Sequence, residues 1–433
     1  MAVSAEISRD KLSLDAAKRA AALTFVGNAL EFFDFATYAF FATIISRHFF
    51  PPGDATSGLI QAFAVFGLGL VARPLGAIVF GRLGDVRGRK LALLISMPLM
   101  GVSTLIVGLI PTYQAIGVAA PVLLLACRLA QGFSAGGEVG NAITFLIEWS
   151  PPNRRALYSS LHQASSLVGT LVGSLTAAFL TSVLEPTSLQ SWGWRIPFII
   201  GGALIAPFGF YLRSKIDETP AFSHLKETHV SKEDIYSTRS TWIMGIKTVG
   251  STAVWVVTFY VFLIYGPIFL TVHGHIDRSA SLWINTAGLL TDTIVIIIAA
   301  AIADTIGRKP LLIAASLCVL IFSYPLFLMF QNSASLLLIF LGIVFCGALA
   351  GVFAGIGPAL MAELFPTRLR TTGVSIGFGV STAIFGGLAP AISESLIKFT
   401  GSEIAPSYFA MAAAVVSLGF ILSLKETAYE PLK

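Results

Sequence analysis

Apolar residues in this chain gather into long runs separated by short polar segments. A helix needs roughly 20 residues to cross about 30 Å of hydrocarbon, and twelve runs fit that need. They lie near 21–46, 57–81, 91–111, 118–148, 156–184 and 194–212, then near 241–271, 280–302, 310–330, 335–362, 371–397 and 406–424. Strands of a membrane barrel would alternate apolar and polar residues over about ten positions. No such alternation runs through these segments, so the pattern predicts an all-α membrane protein with twelve transmembrane helices.

Composition agrees. Of 433 residues, 55% are apolar and only 12% charged, against about 25% charged in an average soluble protein. The mean hydropathy is +0.82. So little charge excludes an ordinary soluble enzyme. Cys127, Cys318 and Cys346 are odd in number and sit in apolar runs, which excludes a disulfide-stapled scaffold.

The net charge of +5 is dispersed rather than clustered, so it points to topology and not to nucleic acid. With both termini on one side, 21 Lys and Arg fall on that side and 4 on the other. The positive-inside rule then places both termini in the cytoplasm of a multi-pass protein of the cell's inner membrane. Met1 to Arg19 is polar, without the apolar core of a cleaved signal peptide.

The longest hydrophilic loop divides the spans six and six. The expected organisation is a cytoplasmic N-terminus (1–20), a first bundle (21–212), a linker (213–240), a second bundle (241–424) and a tail (425–433). Each half repeats one grammar. Gly81, Asp85, Gly88, Arg89 and Lys90 follow span two; Asp304, Gly307, Arg308 and Lys309 follow span eight. Glu148 closes span four with Arg154 and Arg155 behind it; Glu363 closes span ten with Arg368 and Arg370 behind it. The offsets are 219 from Asp85 to Asp304 and 215 from Glu148 to Glu363. Duplicated six-span units mark transporters whose site lies between the halves near the membrane midplane. In the repeated loop, Gly suits a sharp turn, the carboxylate suits a helix N-terminus, and the cations hold the cytoplasmic side.

Asp85-x-x-Gly88-Arg89-Lys90 with its second copy resembles the signature loop of the major facilitator superfamily. Gly27 to Phe35, Arg73-Pro-Leu-Gly-Ala77, Arg128 to Glu138, Trp192 to Phe198, Asp217-Glu-Thr-Pro220 and Phe385 to Pro390 resemble its metabolite:proton symporters, which include citrate, alpha-ketoglutarate, shikimate and proline/betaine carriers. The resemblance runs from span one to span twelve. It implies the major facilitator fold of two pseudo-symmetric six-helix bundles, a pocket with alternating access, and proton-coupled uptake. It leaves the substrate open.

Ionisable side chains in mid-membrane cost about 2.5–3.5 kcal/mol on insertion scales, so those present are expected to face a cavity or one another. Asn28, Glu31, Asp34 and Tyr38 share one face of span one. Counting along the helices puts Asp34 and Arg128 at similar depth, a pairing that resembles the span-one carboxylate and span-four Arg of proton-coupled sugar porters. Glu31, Glu138 and Arg73 form a second cluster one or two turns deeper. Two carboxylates near one guanidinium cannot both ionise comfortably, so one is expected to carry a proton. Arg73 stands 12 residues before Asp85, and Asp292 stands 12 before Asp304. The repeat therefore makes Arg73 and Asp292 equivalents, approaching the cavity from opposite bundles.

The expected proton-coupling residues are Asp34, Glu31, Glu138 and Asp292, with Glu394 a further acid. The expected substrate contacts are Asn28, Tyr38, Arg73, Arg128, Gln131, Asn141 and Gln163, with Gln131 placed on one face with Glu138. The expected conformational loops are those around Asp85 and Asp304, with Glu148, Glu363 and Arg368. Trp255, Phe259 and Tyr260 are aromatics near the cavity. His273-Gly-His275 lacks further metal ligands, and no phosphate-binding loop or hydrolase motif occurs.

These residues predict a monomeric secondary transporter, not an enzyme, using no cofactor or metal beyond the coupling proton. The substrate they favour is a small organic acid anion, such as a di- or tricarboxylate, because Arg73 and Arg128 supply two fixed cations. The alternatives are a zwitterionic osmolyte, proline or betaine, held by aromatic rings, or a transporter-like sensor. The short central loop and tail offer a sensor no output segment.

Overall fold

The computed structural model describes residues 25, 28, 29, 32–51, 55–87, 89–136, 138–148, 150, 153–214, 239–332, 335–365 and 367–430. Among these the secondary structure is helical, with no strand. Among the described residues nine helices are long and apolar enough to cross a membrane, and Leu94–Leu109 and Ala119–Ala135 are shorter apolar helices. With the first helix, 32–40 and its continuation Ala42–Phe49, they account for the twelve spans expected. Large apolar side chains such as Leu75, Ile78, Trp242, Ile321 and Leu337 stand exposed on the perimeter, as lipid-facing residues do. Most of the expected linker lies outside the described residues, as do Glu31 and Gly88.

Span four is described over Ala119–Ala135 and Glu138–Glu148. Between these stretches Gly136 lies against span two: a Cβ there would stand 1.9 Å from the Arg73 carbonyl oxygen. Spans six, seven and eleven each contain a π-helical stretch, Gly201–Ile205, Phe259–Ile264 and Thr382–Gly387. Such insertions favour functional sites because they rotate the faces of the turns that follow.

Glycines set the packing inside each half. A Cβ on Gly132 would lie 1.5 Å from the Gly69 carbonyl oxygen, and one on Gly347 would lie 2.1 Å from that of Gly288. One turn on, Gly136 meets the Arg73 carbonyl, and Gly351 meets the Asp292 carbonyl at 2.8 Å. The partners are offset by 219 in spans two and eight and by 215 in spans four and ten. These are the offsets of the sequence repeat, now visible as contacts. The backbone approach gives close helix packing where lipid supplies no hydrophobic drive between helices. Gly169 likewise seats on the Ala29 carbonyl of span one, whereas Gly377 in span eleven packs on Thr248 of span seven.

The two halves touch at both ends. At one, the Asp304 end, both carboxylate oxygens of Asp304 accept hydrogen bonds, from the backbone N–H of Ala156 and of Leu157, at 3.0 Å each. Asp304 thereby caps span five (Arg155–Val183) of the opposite half, where a negative charge complements the helix dipole. Arg308 binds Asp304 at 3.0 Å and Glu363 at 3.1 Å, and Arg155 stands 3.9 Å from Glu363. The chain after span twelve joins this cluster. The Glu426 carboxylate accepts from the N–H groups of Arg308 and Lys309 at 2.9 Å each, and Arg155 donates to the Glu430 carbonyl at 2.7 Å. At the other, the Arg278 end, Arg278 donates to Thr43 Oγ1 (2.8 Å) and the Phe40 carbonyl (2.9 Å). Lys398 there donates to Ser57 at 2.6 Å.

Candidate functional site

Between these contacts lies a small cavity walled by both halves. Its polar groups are Arg73, Gln163 and Ser166 from the first half and Asp292 and Thr382 from the second. Phe32, Trp255, Phe259, Tyr260 and Phe378 supply rings. The π stretches explain part of this lining, since Phe259, Tyr260 and Thr382 all lie within them. Trp255 and Phe378 pack with centroids 4.9 Å apart.

Arg73 and Asp292, expected to approach from opposite bundles, line this one cavity. Arg73 is 3% exposed, and its guanidinium lies 4.7 Å from the Phe35 ring centroid and 5.4 Å from that of Phe32. Asp292 is fully buried, and neither carboxylate oxygen has a hydrogen-bond partner among the described residues. A buried charge without a partner is strongly unfavourable. Asp292 is therefore chemically incomplete: it calls for a proton, a cation or water.

A second arrangement lies apart from the cavity. Arg128 Nη1 donates to Asp34 Oδ2 and to Gln131 Oε1, both at 2.7 Å, and Gln131 Nε2 donates to Thr104 at 2.9 Å. The guanidinium stands 3.9 Å over the Tyr38 ring centroid and 5.5 Å from Phe35. Spans one, three and four are thus tied through one buried cation. Phe35 lies between the two arginines, linking this cluster to Arg73.

The other expected contacts are distributed as follows. Gln163 lines the cavity. Asn28 instead locks span one to span five, donating to the His162 carbonyl (3.1 Å) and to the hydroxyls of Ser165 (2.7 Å) and Ser166 (2.6 Å). The Tyr38 hydroxyl is consumed by the Ala62 carbonyl at 3.0 Å. Gln131 serves Arg128 rather than the cavity. His162 is 3% exposed, and neither ring nitrogen has a hydrogen-bond partner among the described residues. Glu31 lies outside the described residues, as do the side chains of Glu138, Asn141, Asp85, Arg89, Lys90, Glu148 and Arg368; Gly81 and Asp85 fall in the helix Arg73–Arg87. Gly307 turns with φ 99°, a conformation natural to glycine alone, and a Cβ would strike Glu426 Oε2 at 2.7 Å. Phe32, Ser166, Phe378 and Thr382 are cavity residues the sequence reading did not name. The run of Ser and Thr along span five, from Ser159 to Ser174, was the available signal for Ser166.

Two repeated six-span halves around a buried cavity define a membrane transporter. The chain belongs to the major facilitator superfamily. Residues 20–254 match the family described as sugar (and other) transporter, and residues 258–432 match that described as Major Facilitator Superfamily. The citrate-proton symporter of Klebsiella pneumoniae is 35% identical over 393 residues, covering 90% of this chain and 88% of that protein. The proline/betaine transporter of Escherichia coli K12 is 33% identical over 440 residues, covering 98% and 87%. The alpha-ketoglutarate permease of the same strain is 34% identical over 404 residues, covering 92% and 91%. In fold, the chain is similar to the E. coli xylose transporter XylE in a partially occluded inward-open conformation, with a TM-score of 0.78 at 17% identity, covering 96% of this chain and all of that one. The protein is a multi-pass transporter, and its relatives are symporters and permeases rather than enzymes.

Proposed function

We propose that this chain is a proton symporter of the cell's inner membrane, with both termini and the Asp304 end in the cytoplasm. Its substrate is a compact solute bearing one carboxylate and one cationic centre. The observation that carries this reading is the presence of Arg73 and Asp292 on one aromatic-walled cavity. A guanidinium recognises a carboxylate through paired, charge-assisted hydrogen bonds. Aromatic faces beside a carboxylate suit a substituted ammonium group. Arg128, counted from sequence as a second cation for a polyanion, is instead engaged by Asp34 and Gln131 away from the cavity. The similarity to proline/betaine transporters points the same way.

One observation favours a second reading, a di- or tricarboxylate. Both Asp292 oxygens are without partners among the described residues, and a proton on Asp292 would leave Arg73 as the cavity's charge, with Gln163, Ser166 and Thr382 for the remaining oxygens. The similarity to citrate-proton symporters supports it.

The coupling proton binds at Asp34. As a carboxylate Asp34 holds Arg128 and so ties span one to span four; as a carboxyl it gives up the charge pairing, and Arg128 retains Gln131 and the Tyr38 face. Proton binding thus changes how tightly three helices of one half are joined, which biases the alternation between states. Glu31, Glu138 and Asp292 are the other proton carriers in this reading. Asp304 acts on the same alternation by fastening one half to the other, and the loop at Asp85, its equivalent in the repeat, acts with it.

The test is uptake into proteoliposomes of labelled proline, glycine betaine, citrate and alpha-ketoglutarate, with and without an imposed pH gradient. Gradient-dependent accumulation of a zwitterion, with no competition by citrate, is expected. Accumulation of citrate alone would transfer the assignment to the second reading, and gradient-independent equilibration of every solute would overturn proton symport.

A further inference from the structure

A cluster of titratable groups lies near the Arg278 end, apart from the cavity and from Asp34. Glu394 of span eleven is 1% exposed. Its Oε1 accepts a hydrogen bond from the Tyr265 hydroxyl at 2.8 Å and stands 3.3 Å from His273 Nε2. Its Oε2 is buried without a partner among the described residues. The second His273 nitrogen, Nδ1, lies 3.5 Å from Glu403 Oε1, and Glu403 is 36% exposed. Gln331 of span nine holds the other Glu403 oxygen at 2.7 Å. Lys398, one turn beyond Glu394 on its own helix, is engaged with Ser57. These groups form a graded path: an acid open to water, an imidazole 10% exposed, and an acid that is sealed.

The inner end of that path is a contact between the halves. Tyr265 follows directly on the π stretch of span seven, and its ring packs edge-on against Phe63 of span two, with centroids 6.0 Å apart. Five residues earlier in the same helix, Tyr260 lines the cavity and lies 6.2 Å from Phe66 of span two. The Glu394 carboxylate therefore orients a tyrosine that closes this end, and His273 is the one cationic group in contact with that carboxylate among the described residues. Without a charge on His273, an ionised Glu394 would be left buried beside a phenol alone, which is costly.

We propose that His273 and Glu394 form a proton-binding site whose occupancy holds the Arg278 end shut. A proton on His273 makes an imidazolium–carboxylate pair that fixes Glu394, and through it Tyr265, against Phe63. Loss of that proton drives Glu394 to seek water and frees Tyr265. Burial alone would lower the His273 pKa, but the Glu394 and Glu403 carboxylates outweigh it and push the imidazole above its ordinary value, which favours the protonated ring in the closed form. This rests on the proton-symport reading, in which that end faces the proton source: proton arrival there closes the path behind the substrate.

The experiment uses the purified full chain in detergent, with Cys127, Cys318 and Cys346 replaced by Ser and Leu59→Cys as reporter. Leu59 is 4% exposed, one helical turn from Phe63. The rate of labelling by a membrane-impermeant maleimide, corrected for thiol ionisation, is measured from about pH 6 to about pH 9. It should rise by up to about tenfold per pH unit as pH climbs toward the titration of the pair, and level off above it. His273→Gln should label rapidly at every pH, and His273→Arg, a fixed cation, slowly at every pH. Misfolding cannot produce these opposite shifts. Glu394→Gln should abolish the pH dependence. Unchanged pH profiles in both His273 variants, or shifts in the same direction, would overturn the proposal. Because no substrate or gradient is present, failure here is distinguishable from failure of the uptake test.

Discussion

Arg73 and Asp292 occupy the same place in the two bundles, and each rests its carbonyl against a glycine of the neighbouring span, Gly136 and Gly351. Their side chains meet at one cavity. An internal repeat has thus brought opposite charges to equivalent positions. The cavity has a basic wall in one half and an acidic wall in the other.

The two walls should separate by substitution. Arg73→Gln should weaken every carboxylate-bearing solute, by about 10- to 100-fold for a lost charged hydrogen bond of about 1.5–3 kcal/mol. Asp292→Asn should weaken only solutes with a cationic centre. Binding of proline, betaine and citrate to the purified variants, by calorimetry, checks both. Equal losses for all three ligands in Asp292→Asn would place that residue outside recognition.

Asp34→Asn should abolish accumulation driven by a pH gradient while leaving counterflow exchange measurable, because the amide cannot carry the proton yet still accepts from Arg128. Accumulation at least tenfold below wild type is expected. Normal gradient-driven accumulation in this variant would remove Asp34 from coupling.

Packing offers a prediction free of function. Gly132→Ala forces a methyl into the Gly69 carbonyl and should cost about 1–3 kcal/mol or more, as overpacking does. Gly419→Ala, whose Cβ would meet nothing within 4 Å, should be neutral or stabilising by up to about 1 kcal/mol. Thermal unfolding in detergent reports the contrast, and equal melting temperatures would refute it.

The fastening at the Asp304 end has a pH signature. Burial raises the Glu426 pKa, but the N–H groups of Arg308, Lys309, Ala428 and Thr427 outweigh it and hold the carboxyl below its ordinary value. A pKa depressed in the folded state contributes stability that is present above the unfolded value, about 4.3, and is lost as pH falls through the lower folded value. Amide exchange at Arg308 and Lys309, corrected for its intrinsic pH dependence, should therefore stay slow at neutral pH and quicken only in acid. Glu426→Gln should exchange faster at neutral pH with less acid dependence.

Depth along a helix was legible in the sequence. Residue counting from the membrane surfaces placed Asp34 level with Arg128, and the structure joins them at 2.7 Å. The repeat offset likewise put Arg73 and Asp292 at one level. Facing was less legible. Gln131 was assigned to a face with Glu138 by heptad spacing; the Glu138 side chain lies outside the described residues, and Gln131 itself is taken up by Arg128 and Thr104. Phe378 and Thr382 went unnamed; Thr382 opens a π stretch, where a 3.6-residue period no longer holds. Tyr38 and Asn28 do face inward, yet Ala62 and the serines of span five claim their polar atoms. Polarity shows that a residue avoids lipid and leaves open which neighbour it finds.

The glycine contacts carry a consequence for how such a molecule changes shape. Inside a half, a carbonyl pressed on a glycine leaves no room for water to take the partner's place, so each half resists internal rearrangement. Between the halves, Ser174 meets Thr286 and Ser182 meets Ser279, hydroxyl to hydroxyl at 2.7 Å. Water can substitute for either member of such a pair at little enthalpic loss. Separation along that seam exchanges one set of hydrogen bonds for another, so states open and closed at a given end lie near each other in energy. One proton and one small solute are then enough to choose between them.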